Sequence, residues 1–480
     1  MQERKTDIAI IGGGTAGMVA YRQARKHSDQ VVLIEAEQFG TTCARVGCMP
    51  SKLLIAAAEV AHTANHAQRF GIHAGPVRVD GRAVMQRVRR HRDRFVGGVL
   101  ESIGRIPAAD RLLGHARFID RHMLQVGENL KVHAGRIVIA TGSRTNVLPF
   151  LKAAGQRLIT SDEVFEWTEL PESVAIFGPG VIGLELGQAL ARLGVRIRMF
   201  GVGGRIGPIQ DDEIRQIALA TFNEEFPLQA DANVHEIRET DQGVQITFDD
   251  ADGDEATETF DYLLAATGRR PNIDGLDLEN TGLDLDDRGM PVYDRYTLQC
   301  GDGPIFIAGD ANNHLPLLHE AADEGRIAGA NAGRWPDVRS GLRRALLSVV
   351  FTDPQIALAG RTLAETDERC RGCYATGSVN FRNQGRSRVM GKSRGLLRVY
   401  GEHGSGLFMG AEMFGPAAEH IAHLLAWSAQ QRMTVDEMLD MPYYHPVIEE
   451  GLRTALQDLA KKLRLGPERS SDCMDCGPGG

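Results

Sequence analysis

Short apolar runs that stop at glycine-rich turns and then give way to helical spacing occur twice along this chain. The first, Asp7 to Ile11, predicts a strand. Gly12-Gly13-Gly14-Thr15-Ala16-Gly17 follows at once, then a helical stretch from Met18 to Lys26 and a second strand, Val31 to Ile34, ending in Glu35. The pattern returns with a strand from Ser173 to Phe177, the turn Gly178-Pro179-Gly180-Val181-Ile182-Gly183, a helix from Leu184 to Leu193 and a strand from Val195 to Phe200.

A glycine string of this spacing has a structural use as a tight strand-to-helix turn and a chemical one as a phosphate cradle. Both strands, the helix and Glu35 favour the second. Gly12 permits the turn, Gly14 lets a pyrophosphate reach the backbone at a helix N-terminus beside Thr15 and Ala16, and Gly17 allows close packing of helix on strand. Glu35 stands where an acid accepts from an adenosine ribose. Gly178, Gly180 and Gly183, with Val181 and Ile182 between them, imply a second dinucleotide site. There the strand-end acid is absent. Gly201 takes its place, with Arg196, Arg198 and Arg205 nearby. Those arginines are read either as partners of a 2'-phosphate or as solvated surface residues, so NAD(H) and NADP(H) both stay open.

Length and composition add bounds. A chain of 480 residues, 42% hydrophobic, is long enough for several cores, and we expect roughly three or four domains. Its net charge of -9 is spread over interspersed acids and bases, which argues against a nucleic-acid partner. Arg87 to Arg94 is locally basic and reads as a solvated helix face. No secretory h-region opens the chain, and no stretch reaches the roughly 20 apolar residues of a membrane span. A cytoplasmic enzyme without a membrane partner is the expectation. Six of the seven cysteines fall in three close pairs, Cys43/Cys48, Cys370/Cys373 and Cys473/Cys476, a usage that suggests thiol chemistry rather than stapling.

The pair after the first unit lies in Gly40-Thr41-Thr42-Cys43-Ala44-Arg45-Val46-Gly47-Cys48-Met49-Pro50-Ser51-Lys52. The spacing predicts one helical turn bringing two sulfurs into disulfide range, with Pro50 limiting continuation of the hydrogen-bond ladder. A helix N-terminus there would favour a thiolate. At this point the sequence resembles the FAD-dependent pyridine nucleotide-disulfide oxidoreductases. Further motifs in the family's order carry the resemblance: Ala140-Thr141-Gly142-Ser143, Ala266-Thr267-Gly268-Arg269-Arg270-Pro271-Asn272, Ile307-Ala308-Gly309-Asp310, His319 to Gly325, Phe351-Thr352-Asp353-Pro354 and Tyr444-His445-Pro446-Val447-Ile448-Glu449-Glu450. It runs from Asp7 to about Leu465.

The resemblance implies two Rossmann-like dinucleotide-binding domains and a C-terminal α+β dimerisation domain, with FAD and NAD(H) or NADP(H) as cofactors. The boundaries it suggests are 1–148 for the first part of the FAD domain, 149–272 for the NAD(P) domain, 273–343 for the FAD domain's second part, 344–465 for the interface domain and 466–480 for a tail. Thr42, Lys52, Thr141, Gly142 and Asp310 would join the first glycine turn around FAD, and Gly268 would join the second around the nicotinamide nucleotide. Cys43 becomes the interchange sulfur and Cys48 the one against the flavin. Lys52 and Glu185 pair near both cofactors. His445, oriented by Glu450, is the base, supplied across a homodimer interface. Val181 stands where some relatives carry a gating tyrosine.

Pro50-Ser51-Lys52 resembles the dihydrolipoamide and mercuric branches of the family, and His445 argues for the former, with a lipoyl-type dithiol as substrate. Thr41, Arg45 and Gly201 depart from the branch pattern. The tail's Cys473 and Cys476 suggest an electron shuttle to another disulfide or to mercuric ion, zinc capture together with Cys370 and Cys373, or a dispensable end. No resident metal is expected. A non-catalytic sensor binding both nucleotides is the rival of another class.

Overall fold

The computed structural model describes residues 2–463. Its first sheet grows around β1 (Gln2–Ile11), which runs on into α1 (Thr15–Ala24) and β2 (Val31–Glu35). Ile8, Ala9 and Ile10 are fully buried, because helices and strands cover both faces of this central strand. β1 starts five residues before the predicted Asp7, since its polar end pairs in parallel with a later strand from Gln2↔Leu130 onward. α1 likewise starts at Thr15 rather than Met18 and ends at Ala24 rather than Lys26, so the last residues of the glycine turn are themselves the first helical turn.

Two helices follow, α2 (Thr42–Arg45) and α3 (Cys48–Asn65), and then the long α4 (Gly81–Gly104), which carries the basic Arg87 to Arg94 stretch. β3 (Arg111–Leu113), β4 (Ala116–Asp120), β5 (Met123–Val126) and β6 (Leu130–Ile139) complete the chain's first passage through the sheet, in the order β3-β2-β1-β6-β5-β4. β7 (Ser143–Thr145) then leaves it.

The second parallel sheet is built from β8 (Leu158–Ile159), β9 (Ser173–Phe177), β10 (Arg196–Phe200), β11 (Leu228–Gln229) and a later strand. α5 (Ser161–Val164), α6 (Val181–Arg192) and α7 (Asp212–Asn223) connect them. As in the first unit, α6 begins three residues before the predicted Leu184, and Gly183 lies inside its first turn. An antiparallel layer of β12 (Val234–Thr240), β13 (Gly243–Asp249) and β14 (Glu255–Phe260) packs Phe248 and Phe260 against Phe177 and Phe200. β15 (Tyr262–Ala265) lies between β9 and β8, giving β11-β10-β9-β15-β8. β16 (Arg269–Pro271) pairs with β7 in an antiparallel link between the two units.

The chain then returns to the first sheet. β17 (Ile305–Ile307) pairs with β6 over Ile137 to Ile139, beyond the stretch that β5 occupies, and α8 (Leu318–Arg334) shares a buried core with α1. The C-terminal unit is a five-stranded antiparallel sheet, β18 (Leu347–Val350), β19 (Gln355–Gly360), β20 (Tyr374–Asn380), β21 (Leu396–Glu402) and β22 (Phe408–Gly415), in the order β18-β19-β22-β21-β20. α9 (Leu363–Cys370), α10 (Gly385–Val389), α11 (Ala418–Gln430), α12 (Val435–Leu439) and α13 (Glu450–Leu463) accompany it. Apolar residues of α11 and α13, Leu425 and Leu459 among them, fill its core. The architecture is therefore two Rossmann-like α/β units followed by an α+β unit. No helix among the described residues is long and apolar enough to cross a membrane.

Candidate active site

The two glycine turns are built alike. Gly12 has φ +110°, and a Cβ there would stand 2.1 Å from Ala140 O; a Cβ on Gly17 would stand 1.8 Å from Gly12 O. These positions exclude any side chain. Gly14 meets nothing within 4 Å, which leaves the backbone at the α1 N-terminus open to an anion. Glu35 spends its carboxylate on the turn, accepting from Gly13 N and Ala36 N, each at 2.8 Å. In the second turn Gly178 and Gly183 are sealed in the same way, and Gly180 has its nearest neighbour at 3.9 Å. Val181 and Ile182 open α6, Val181 being exposed, and Gly268 adopts φ +94° at the rim. A cleft of about 950 Å³ lies over this turn, lined by Gly178, Gly180, Gly201, Arg205, Thr267 and Gly268 among others. Arg196 and Arg198 do not reach it as free cations. Both bind Glu258, at 2.8 and 2.6 Å, and lie over the rings of Phe260 and Phe248.

The dithiol does not sit in one helical turn as its spacing predicted. Thr41 caps α2 by accepting from Ala44 N at 3.2 Å, Val46 and Gly47 break the helix, and Cys48 begins α3. Pro50 is the third residue of that new helix, where its missing N–H costs nothing, so it supports a start rather than a stop. Thr42 and Cys43 open the short helix, and the Cys43 and Cys48 thiols are hydrogen-bonded to each other. That bond holds the Cys48 thiol down to about 7, helped by the Lys52 ammonium and opposed by burial and Glu185. The same bond, together with burial, pushes the Cys43 thiol up.

Lys52 lies one turn along α3. Its Nζ donates to Glu185 Oε1 at 2.9 Å and Oε2 at 2.7 Å, and it lies 4.6 Å from the centroid of the Phe351 ring. Glu185 is buried on α6 and also accepts from Phe351 N at 3.0 Å. Phe351 belongs to the turn between β18 and β19. Gln188, one turn further along α6, fixes that turn by accepting from Asp353 N at 2.8 Å and donating to Asp353 O at 2.9 Å. The pairing of Lys52 with Glu185 agrees with the sequence reading; the part of Phe351 and Gln188 had no sequence signal beyond the Phe-Thr-Asp-Pro motif.

The segments expected around FAD meet where β6 and β17 end. Thr141 and Gly142 follow β6, and Ser143 Oγ donates to Asp310 Oδ2 at 2.7 Å while accepting from Arg269 Nε at 2.8 Å. Gly309 N donates to buried Glu324, which also binds Arg343. Thr141 Oγ1 and His319 Nε2 are buried with no hydrogen-bond partner among the described residues. Two orphaned polar atoms, the open backbone at Gly14 and the Cys48 thiol make a set that fits FAD.

His445 Nδ1 and Glu450 Oε1 are 2.8 Å apart, and Glu450 Oε2 accepts from Val447 N at 3.1 Å. Glu450 is buried at the start of α13, whereas the His445 side chain is 73% exposed. Among the described residues of this one chain, His445 forms no hydrogen bond to Cys43 or Cys48. Cys373 is disulfide-bonded, which removes it as a thiolate ligand in the zinc reading, and no group of three or more ligating side chains gathers among the described residues. Cys473 and Cys476 lie outside the described residues.

Residues 6–325 match the family described as pyridine nucleotide-disulphide oxidoreductase, and residues 346–456 match that family's dimerisation domain. The chain is 30% identical to the dihydrolipoyl dehydrogenase of Haloferax volcanii over 469 residues, covering 94% of this chain and 96% of that one. It is 32% identical to the mercuric reductase of Streptomyces lividans, covering 95% and 97%. Among solved structures, the HOCl-induced flavoprotein disulfide reductase of Escherichia coli superposes with a TM-score of 0.79 at 24% identity, over 96% of this chain and all of that one, which speaks to the fold alone.

Proposed function

The chain belongs to the pyridine nucleotide-disulphide oxidoreductase family, and from that premise we propose that it oxidises a dihydrolipoyl-type dithiol at the expense of NAD(P)+, reversibly. FAD, when bound, supplies the two-electron relay between the protein dithiol and the nicotinamide.

Each protein group has one task in this reading. The partner's His445 takes a proton from a substrate thiol at Nε2, because Glu450 fixes Nδ1 and so leaves the other nitrogen to the substrate. The thiolate formed attacks Cys43 Sγ; the Cys43–Cys48 bond breaks, a mixed disulfide forms, and Cys48 departs as a thiolate. The second substrate thiol then displaces Cys43, leaving a substrate disulfide and a reduced protein pair. Lys52 stabilises the Cys48 thiolate, and Glu185 holds Lys52 in place. The glycine turns anchor the two nucleotides, with Glu35, Thr42, Thr141, Gly142 and Asp310 on the FAD side and Gly268 on the other. The matched dimerisation domain supports the homodimer that this arrangement requires. The five-part division of the chain and a cytoplasmic location belong to the same proposal.

What carries the reading is the 2.8 Å bond between His445 and a buried carboxylate, with the rest of the imidazole facing outward. A thiol substrate has a proton to lose, whereas a mercuric ion has none and gives an oriented base no task. The test is stopped-flow reduction of the purified holoenzyme by NADH and NADPH, followed by turnover with lipoamide, glutathione disulfide, thioredoxin and mercuric ion. Lipoamide turnover together with a thiolate-to-flavin charge-transfer band is expected. Turnover of mercuric ion alone would move the chain to the other branch. Protein that takes up no flavin, or turnover that survives loss of either sulfur, would overturn the proposal.

A further inference from the structure

In a dinucleotide-binding unit the residue ending the second strand sorts the two nicotinamide nucleotides: an acid there accepts from the ribose 2'-hydroxyl and repels a 2'-phosphate. Glu35 occupies that place in the first unit. In the second, β10 ends at Phe200 and the place falls to Gly201.

The absence of a side chain there is enforced by packing. A Cβ on Gly201 would stand 2.6 Å from Ala230 O and 2.7 Å from the Pro179 ring, so neither an acid nor an arginine fits. Hydrogen bonds from Gly201 N to Gln229 O at 2.7 Å and from Ala232 N to Gly201 O at 2.9 Å hold the strand end against its neighbour. Val202, which follows, is 78% exposed and offers a 2'-substituent neither donor nor acceptor. The nearby Asp231 accepts from Gly203 N at 2.8 Å and does not line the cleft. Arg196 and Arg198 are spent on Glu258. Arg205 lines the cleft and has no carboxylate partner among the described residues. Two further ionisable side chains line it: His235, paired with Asp249, and the acid Glu236.

We propose that this cleft accepts NADP(H) and NAD(H) alike, because Gly201 is sealed against the side chain that would sort them and Arg205 remains as a cation for a 2'-phosphate. NAD(H) forfeits a charged hydrogen bond at its ribose, and NADP(H) meets no carboxylate at the strand end while gaining Arg205. One change weakens NAD(H) and the other strengthens NADP(H), so both shift the preference of an acid-ended site the same way and draw the two affinities together. This rests on reading the second glycine turn as the nicotinamide-nucleotide site.

Calorimetric titration of the oxidised holoenzyme with NAD+ and with NADP+ tests it without any turnover. Dissociation constants within about tenfold of each other are expected, at or below the roughly 10- to 150-fold that one charged hydrogen bond is worth, and raising the salt should weaken NADP+ more than NAD+. Arg205→Ala should weaken NADP+ severalfold more than NAD+. Val202→Asp, at an exposed position that any side chain can occupy, should restore discrimination against NADP+. A preference far beyond tenfold for either nucleotide in the unaltered protein, or an equal effect of Arg205→Ala on both, would overturn the inference. If neither nucleotide binds, the assignment of the second turn fails instead.

Discussion

Lys52 and Glu185 act on the Cys48 thiol with opposite signs, so replacing each in turn should move it in opposite directions. The ammonium and carboxylate are 2.7 Å apart. With an effective dielectric near 20, the attraction at that distance is ~6 kcal/mol. Desolvation offsets most of it, since Glu185 is buried and Lys52 is about one-third exposed. What remains still fixes where the positive charge sits. Lys52→Met removes the cation that favours the thiolate and should raise the Cys48 thiol from about 7 by roughly one pH unit, equivalent to ~1.4 kcal/mol. Glu185→Gln removes the carboxylate that disfavours it and should lower the thiol further, while Phe351 N and Lys52 keep an amide oxygen to bind. The assay is ultraviolet thiolate absorbance of the two-electron-reduced protein as a function of pH, with thermal unfolding as a control for folding. Shifts of the same sign in both variants, or no shift in either, would refute the electrostatic reasoning.

Further outcomes follow from the same geometry. His445→Gln should lower turnover with a dithiol by roughly 10²- to 10⁴-fold and leave reduction of the protein by NAD(P)H untouched, which stopped-flow separates; equal losses in both halves would argue against the base. Heterodimers of Cys48→Ser and His445→Gln chains should regain turnover well above that of either variant alone, because one of the two sites then carries an intact sulfur pair and an intact base; no recovery would place both groups of a site on one chain. Buried Glu412 is raised from 4.5 to about 7 by burial, despite accepting from Gln210 N and Asp211 N. The folded protein thus binds that proton more tightly than the unfolded chain, and stability should fall by about 3 kcal/mol between those two pH values; Glu412→Gln should flatten the decline in melting temperature, and an unchanged slope would count against it. Deleting the residues after Leu465 tests the tail: unchanged turnover with every disulfide acceptor would remove the shuttle reading.

The glycine turns, the strands before them and the cysteine pair were legible in the chain because each is a local property. A backbone that must take φ +110° at Gly12 or +106° at Gly178 demands glycine whatever surrounds it. A central strand buried on both faces, such as Ser173–Phe177, reads as an unbroken apolar run. Even locally the reading had limits. The break at Val46 and Gly47, which makes Cys48 a helix start, leaves a spacing that one helical turn mimics.

What the linear pattern could not carry were pairings across long separations. Ser143 meets Asp310 because β17 docks on the free half of β6, and Glu185 is pinned by the backbone of Phe351 because α6 packs against the β18–β19 turn. Gly201 looked like a missing acid; Pro179 and Ala230 make it a position where no side chain fits. Arg196 and Arg198 looked free for a phosphate until β14 supplied Glu258. Conformational preference and periodicity act between neighbours along the chain, so they survive in the sequence. Which surfaces close on which is settled by the summed packing of distant segments, and the electrostatic partner of each ion follows from that packing.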